Sequence, residues 1–256
     1  LVLYKEYQQA EDFGKGAPHV RFFLDPHYDA DEVISPAALE AKLARLKDSR
    51  VPLRVLFCGR LVPAKGVDVM IEAVAIATHA GARLSFDIMG AGPDKERLES
   101  LVRSHELDVR FLPPRPYAEG FLETIREYDL LLACPRVADT ARTAWDAIAS
   151  GLAVLAYDTK YYRNVERLTA AVVTSPEHDL RAFTDRLIAI AADKAALVPR
   201  IHNGVEVARA NSADVWLERR AAWIREIVGS ADQRNLDADR VGRLGGSAAR
   251  AQRADV

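Results

Sequence analysis

The sequence predicts an α/β protein with a Rossmann-like, doubly wound parallel sheet, and three observations predict it. Six apolar runs, at Leu53–Cys58, Leu84–Met89, Val109–Leu112, 130–134, Ala153–Tyr157 and 170–173, alternate with segments of helical period. The first run ends in the turn Gly59-Arg60-Leu61-Val62-Pro63-Ala64-Lys65-Gly66, and the second ends in Gly90-Ala91-Gly92-Pro93. A strand, a glycine-basic loop, a helix, a strand and a Gly-x-Gly loop make half of a nucleotide-binding unit, with cations and small residues where phosphates dock.

The elements follow in order. Leu1-Val2-Leu3-Tyr4 reads as a strand opening mid-pattern, and residues 20–24 read as a second, before the Asp25-Pro26 turn. Ser35 caps a helix that starts at Pro36 and runs to about Lys47, with Leu39, Leu43 and Leu46 on one face. Residues 48–52 are a short linker. Residues 67–80 carry Met70, Val74 and Ala77 on a common face; Leu98, Leu101 and Val102 define a helix opening from Asp94, Phe121 and Ile125 another, and Phe183, Leu187 and Ile190 a later one. Residues 211–228 form a last amphipathic helix with Trp216, Trp223 and Ile227. The 27 residues after Gly229, rich in Asp, Arg, Gly, Ala and Ser, read as a disordered tail.

Composition narrows the function classes. Of the 256 residues, 49% are hydrophobic, which suffices for a core, and the net charge of −2 argues against a general nucleic-acid binder. No run approaches the ~18 apolar residues of a membrane span. Cys58 and Cys134, both in apolar runs with no ligand spacing, read as core residues of a reducing compartment, with the cytoplasm as the default. None of the histidines at 19, 27, 79, 105, 178 and 202 has metal-site spacing, so no metal or cofactor is expected. Gly90-x-Gly92 lacks the third glycine of a dinucleotide fingerprint, and no acidic residue closes a strand about twenty residues on, which weighs against NAD binding.

The ordered set Gly59-Arg60-Leu61 … Lys65-Gly66, Gly90-Ala91-Gly92-Pro93, Tyr128-Asp129 and residues 146–154 (Asp146-Ala147-Ile148-Ala149-Ser150-Gly151-Leu152-Ala153-Val154) resembles the C-terminal half of glycosyltransferase family four, retaining enzymes of the two-domain GT-B fold. The resemblance covers about residues 50–228. It implies a nucleotide-sugar-binding domain there, with residues 1–49 as linker and remnant of a preceding acceptor-binding domain and 229–256 as tail. The expected activity is hexosyl transfer from a nucleoside-diphosphate sugar to a glycan or lipid-linked acceptor in polysaccharide or glycoconjugate synthesis, in the cytoplasm or at the inner membrane surface. The N-terminal Leu, in mid-pattern, fits a missing upstream domain, an unusual start codon or a cloning boundary.

The resemblance implies that Arg60 and Lys65 contact the donor diphosphate. Independently of it, two fixed cations beside a leaving nucleoside diphosphate stabilise the transition state more than the ground state; the competing reading is a pair of solvated loop charges. Gly59, Gly90 and Gly92 let backbone come close to a ligand or simply make strand-to-helix turns. The family's acidic pattern, a Glu, seven residues and a ribose-binding Glu, falls here on Ala138 and Asp146, one methylene shorter at the second position. Asp139 stands in for Ala138 after a shift of one residue. Arg142 either meets phosphate or sugar hydroxyls or is an exposed helix arginine, and Thr140 is the expected cap of that helix, aiming its dipole at the phosphates. Residues 111–115 occupy the loop where relatives hold the base. The lost carboxylate at Ala138 also admits a non-catalytic nucleotide-binding or assembly relative, and the fold pattern alone admits an unrelated phosphate-binding regulator.

Overall fold

The structure, a computed structural model, describes residues 2–5, 10, 14–15 and 20–228. The expected tail lies outside these. Six parallel strands form the main sheet in the order β5-β4-β3-β6-β7-β8: β3 (Leu53–Cys58), β4 (Leu84–Met89), β5 (Val109–Leu112), β6 (Leu130–Ala133), β7 (Ala153–Tyr157) and β8 (Val172–Ser175). The chain builds outward from β3 to the β5 edge, returns to pair β6 with β3, and builds outward again to β8. The reversal puts a topological switch point between β3 and β6, which in an open α/β sheet leaves a crevice beyond the carboxyl ends of those strands.

The helices fall into two packed sets. Helix α2 (Val67–His79) packs against α3 (Lys95–Ser104) and α7 (Leu180–Ala192), whereas α5 (Thr143–Ala149) packs on α8 (Leu197–Arg209), which also meets α1 (Pro36–Lys47). The short α4 (Phe121–Ile125) follows β5, and α6 (Lys160–Leu168) joins β7 to β8. Strands β6 and β7 are buried along their whole length, as a parallel strand covered on both faces must be. In α2 the buried set Val67, Met70, Ile71, Val74 and Ala77 leaves Ile76 exposed.

A separate parallel pair, β1 (Val2–Lys5) with β2 (Val20–Phe23), lies beside a ninth helix, α9 (residues 213–228). Trp216 of α9 lies 6.3 Å from the ring of Phe22 and 6.3 Å from that of Trp223, and the Arg220 guanidinium sits over Phe23.

Several expectations need adjustment. Strand β6 ends one residue early, leaving Cys134 buried just beyond it. Strand β8 is displaced two residues from the expected 170–173 because its ladder continues through polar Thr174 and Ser175, paired with Ala156 and Tyr157, while the Ala170 amide donates to Asn203 Oδ1. Helix α5 begins at Thr143 with Arg142 as its N-cap residue and no side-chain cap, so Thr140 does not cap it. Helix α6 lies between two of the expected runs, whereas α8 stands outside the expectations. In α8, Pro199 and Gly204 mask the helical signal; Gly204 is there because a Cβ would come within 2.6 Å of Ala171 Cβ.

Helix α1 starts as expected, with Ser35 accepting from the Ala38 amide and Pro36 in the first turn. Its apolar face buries Leu39 and Leu46 and, between them, Lys42. The Lys42 ammonium donates to the carbonyls of Tyr128 (2.7 Å), Ser150 (3.1 Å) and Gly151 (3.1 Å). Residues on both sides of the expected boundary at residue 49 thus share one core. Burial lowers the Lys42 pKa to about 7, with Asp129 opposing. Lys42→Met is expected to lower stability by about 2 kcal/mol in urea unfolding, because three buried carbonyls lose their donor; an unchanged or raised midpoint would mean that ammonium desolvation outweighs those bonds.

Candidate functional site

Three loops meet at the crevice. The first leaves β3 as Gly59-Arg60-Leu61, makes a 3-10 turn over Pro63–Lys65 and enters α2 through Gly66. The second, Gly90 to Asp94, leaves β4, and the third, Pro135 to Arg142, leaves β6. The first two are laced together: Gly59 N–H donates to Met89 O, Leu61 N–H to Ala91 O at 2.8 Å, and Asp94 N–H to Leu61 O.

That lacing accounts for the glycines. A Cβ at Gly90 would lie 1.9 Å from Gly59 O, and one at Gly92 would lie 2.2 Å from Leu61 O. Both are demanded by backbone meeting backbone, whether or not a ligand also approaches. Gly66 has φ 64° and its Cβ would lie 2.1 Å from Cys134 O, so the first loop also packs directly on the end of β6.

The predicted charged residues divide into two groups and a single cation. Lys65 and Asp139 are joined by a direct ion pair between the first and third loops, both largely shielded. The pair borders, with Cys58, Cys134, Thr143 and Tyr162, a cavity of ≈ 20 Å³ that has room for about one water and for no larger ligand. Arg60 is exposed and makes no ion pair or side-chain hydrogen bond among the described residues.

The second group is Asp146 with Arg142. Asp146 is 2% exposed, its Oδ1 lacks a hydrogen-bond partner, and burial raises its pKa to about 7 against the pull of Arg142. The charge of Asp146 is felt by Tyr28, Tyr117 and the Cys58 thiol at the tip of β3, which burial raises to about 12. Arg142 turns toward the segment after β2: its guanidinium donates to His27 Nε2 and lies 3.9 Å from Asp25. Accepting from an arginine requires the neutral imidazole, and burial followed by Arg142 lowers the His27 pKa. The His27 ring stands edge-on to Tyr117 at 5.7 Å. Asp25-Pro26-His27 reads in sequence only as a turn, and nothing local announces that it reaches α5.

A larger cavity of ≈ 350 Å³ lies at the opposite ends of the strands, near Leu46, Ala80, Arg83 and Ala191. Two of the cations that line it are engaged: Arg83 donates to Ser49 O and Arg50 O, and Lys194 to Val51 O at 2.7 Å. Among the described residues no cluster of His, Cys, Asp and Glu could hold a metal ion, and no helix is long and apolar enough to cross a membrane.

A six-stranded parallel sheet with glycine-bearing, cationic loops at its switch point defines an α/β domain of the kind that makes up GT-B glycosyltransferases. The family described as "Glycosyl transferases group 1" matches residues 42–205, and the chain belongs to that family. It is 25% identical over 129 residues to the UDP-N-acetylglucosamine–peptide N-acetylglucosaminyltransferase GtfA subunit of Streptococcus pneumoniae, a match covering 50% of this chain and 25% of that one. It is 29% identical over 190 residues to a D-inositol 3-phosphate glycosyltransferase of Nocardia farcinica, covering 69% of this chain and 42% of the relative. The chain thus spans less than half the length of these relatives. In fold it is similar to the Anabaena HepE protein crystallised with UDP, with a TM-score of 0.71 and 16% identity over 90% of this chain and 64% of that one.

Proposed function

We propose that this domain binds the nucleoside diphosphate of a sugar donor and neutralises it as the leaving group of a glycosyl transfer of the family-four type. The observation that carries the reading is the loop of Arg60 and Lys65 at the switch point of a glycosyl transferases group 1 chain. As the glycosidic bond breaks, negative charge grows on the diphosphate. Arg60 offers a planar fork for phosphate oxygens and Lys65 a mobile point charge, so this reading needs no metal ion for neutralisation. Lys65 reaches the diphosphate by exchanging its Asp139 partner for phosphate, or by sharing the two. Asp146, with its unpartnered buried oxygen, accepts from the ribose hydroxyls when ionised. Gly59, Gly90 and Gly92 keep the loops close enough for backbone to line the diphosphate, and Arg142 meets donor hydroxyls once it leaves His27.

The acceptor, glycan or lipid-linked, and part of the chemistry come in this reading from an upstream domain, as in a two-domain GT-B enzyme. That relatives act with UDP-N-acetylglucosamine or were crystallised with UDP favours a uridine donor. Transfer of a hexose by the longer protein, in polysaccharide or glycoconjugate synthesis at the cytoplasmic face of a membrane, completes the proposal. A second reading, nucleotide binding without turnover, is favoured by one observation: Ala138 carries no carboxylate, and that of Asp139 is occupied by Lys65.

Titration calorimetry of this chain with UDP and GDP tests the first reading. Binding is expected, and Lys65→Ala or Arg60→Ala should weaken it roughly ten- to a hundredfold, the worth of a charge-assisted hydrogen bond at about 1.5–3 kcal/mol. No heat or competition at millimolar UDP and GDP would sink the site assignment. Sugar transfer by a protein carrying both domains separates the enzyme from the inactive relative.

A further inference from the structure

Resting on the donor-site reading, we infer that Arg136 is a positioning residue that holds Lys65 at the diphosphate through a clasp joining all three crevice loops. Arg136 follows the end of β6 by three residues, in the third loop, and its backbone N–H donates to Ala64 O at 2.9 Å. Its guanidinium donates to Pro63 O at 3.0 Å and to Asp68 Oδ2 at 2.9 Å. Pro63, Ala64 and Lys65 are the three residues of the 3-10 turn, so one arginine grips the turn at its first two carbonyls and leaves the third residue to present its ammonium.

The clasp extends to the second loop. Asp68, in the first turn of α2, also meets Arg97 at 3.3 Å, and Arg97 is held in a two-pronged pair with Asp94 at 2.7 and 2.8 Å. Asp94 in turn donates its N–H to Leu61 O. Two arginines and two aspartates thus alternate across the loops after β3, β4 and β6. Asp68 is only 19% exposed, while the guanidinium groups of Arg136 and Arg97 reach solvent. The arrangement balances its own charge, leaving Lys65 and Arg60 as the loop's cations toward a ligand. It also fits a rigidity requirement: a cation contributes to leaving-group stabilisation in proportion to how well it is held before the charge develops.

The test is a double-mutant cycle on UDP affinity with wild type, Arg136→Ala, Lys65→Ala and the double variant, with thermal unfolding recorded for each. Arg136→Ala should weaken UDP binding about tenfold in the wild-type background and less than twofold when Lys65 is already alanine, because the arginine acts through the lysine. Asp68→Asn opens the same clasp from its other side and should show the same dependence on Lys65. It carries the test if Arg136→Ala fails to fold. Unchanged affinity in both variants, or an equal loss with and without Lys65, overturns the assignment, the latter making Arg136 an independent ligand or a purely structural residue. A wild-type chain that binds no UDP overturns the donor-site reading itself, a result distinct from either.

Discussion

Gly66→Ala is expected to lower the melting temperature by roughly 6–12 °C and to weaken UDP binding at least tenfold. The residue sits at φ 64°, where an alanine costs about 1–2 kcal/mol. Its new Cβ would also lie 2.1 Å from the backbone oxygen of Cys134, and neither group is a flexible side-chain tip that could yield. With relaxation of the contact the total is about 3 kcal/mol, and in a domain of this size each kcal/mol is worth about 2–4 °C. The loop must back away from β6, carrying Lys65 away from Asp139 and from any diphosphate. Calorimetric melting and a UDP titration measure both effects. A melting temperature within a degree of wild type would show that the loop tolerates the shift and that Gly66 does not fix Lys65.

Asp146→Asn is expected to flatten two pH profiles at once. In the folded chain the Asp146 carboxyl has its pKa raised to about 7 by burial, above the ~3.9 of an unfolded aspartate, so folding favours its protonated form. The stability this contributes is fully present below about pH 4 and is lost as pH rises through 7, amounting to roughly 4 kcal/mol at about 1.4 kcal/mol per tenfold. Urea unfolding of wild type against Asp146→Asn from pH 4.5 to 8 should show the variant gaining relative stability across that window. UDP binding should move oppositely in wild type, strengthening up to about tenfold from pH 6 to 8 as the ribose-accepting carboxylate ionises. The asparagine variant binds more weakly at pH 8 and lacks that dependence. Parallel pH profiles in the two proteins would remove Asp146 from the ribose.

Much of the site is legible in the sequence because it is local. Strand β3, its Gly59-Arg60 turn, the Lys65-Gly66 pair and the start of α2 lie within one stretch, where apolar runs, glycines and cations signal strand end, loop and helix in order. The same holds for Ser35-Pro36 and α1. Helix α8 is less legible, because Pro199 and Gly204 contradict helix by propensity and only packing against Ala171 and Ile148 explains the glycine. The glycines at 90 and 92 are visible, but their reason is not: they face another loop's backbone.

What the sequence determined by itself is the order of the strands and of most helices, the glycine-bearing turns at the strand tips, and the presence of Arg60, Lys65 and Asp146 among them. Short-range sterics and hydrophobic periodicity act within a few residues and need no partner from elsewhere. Only the tertiary structure decided which charges meet. Lys65 finds Asp139 from 74 residues away, Arg136 reaches Asp68 across 68, and Arg142 turns to His27 across 115. Lys42 enters the core because the Tyr128, Ser150 and Gly151 carbonyls converge there. Such pairings depend on which strands lie side by side, and the return of the chain to place β6 beside β3 brings the carboxylate of one loop against the cation of another.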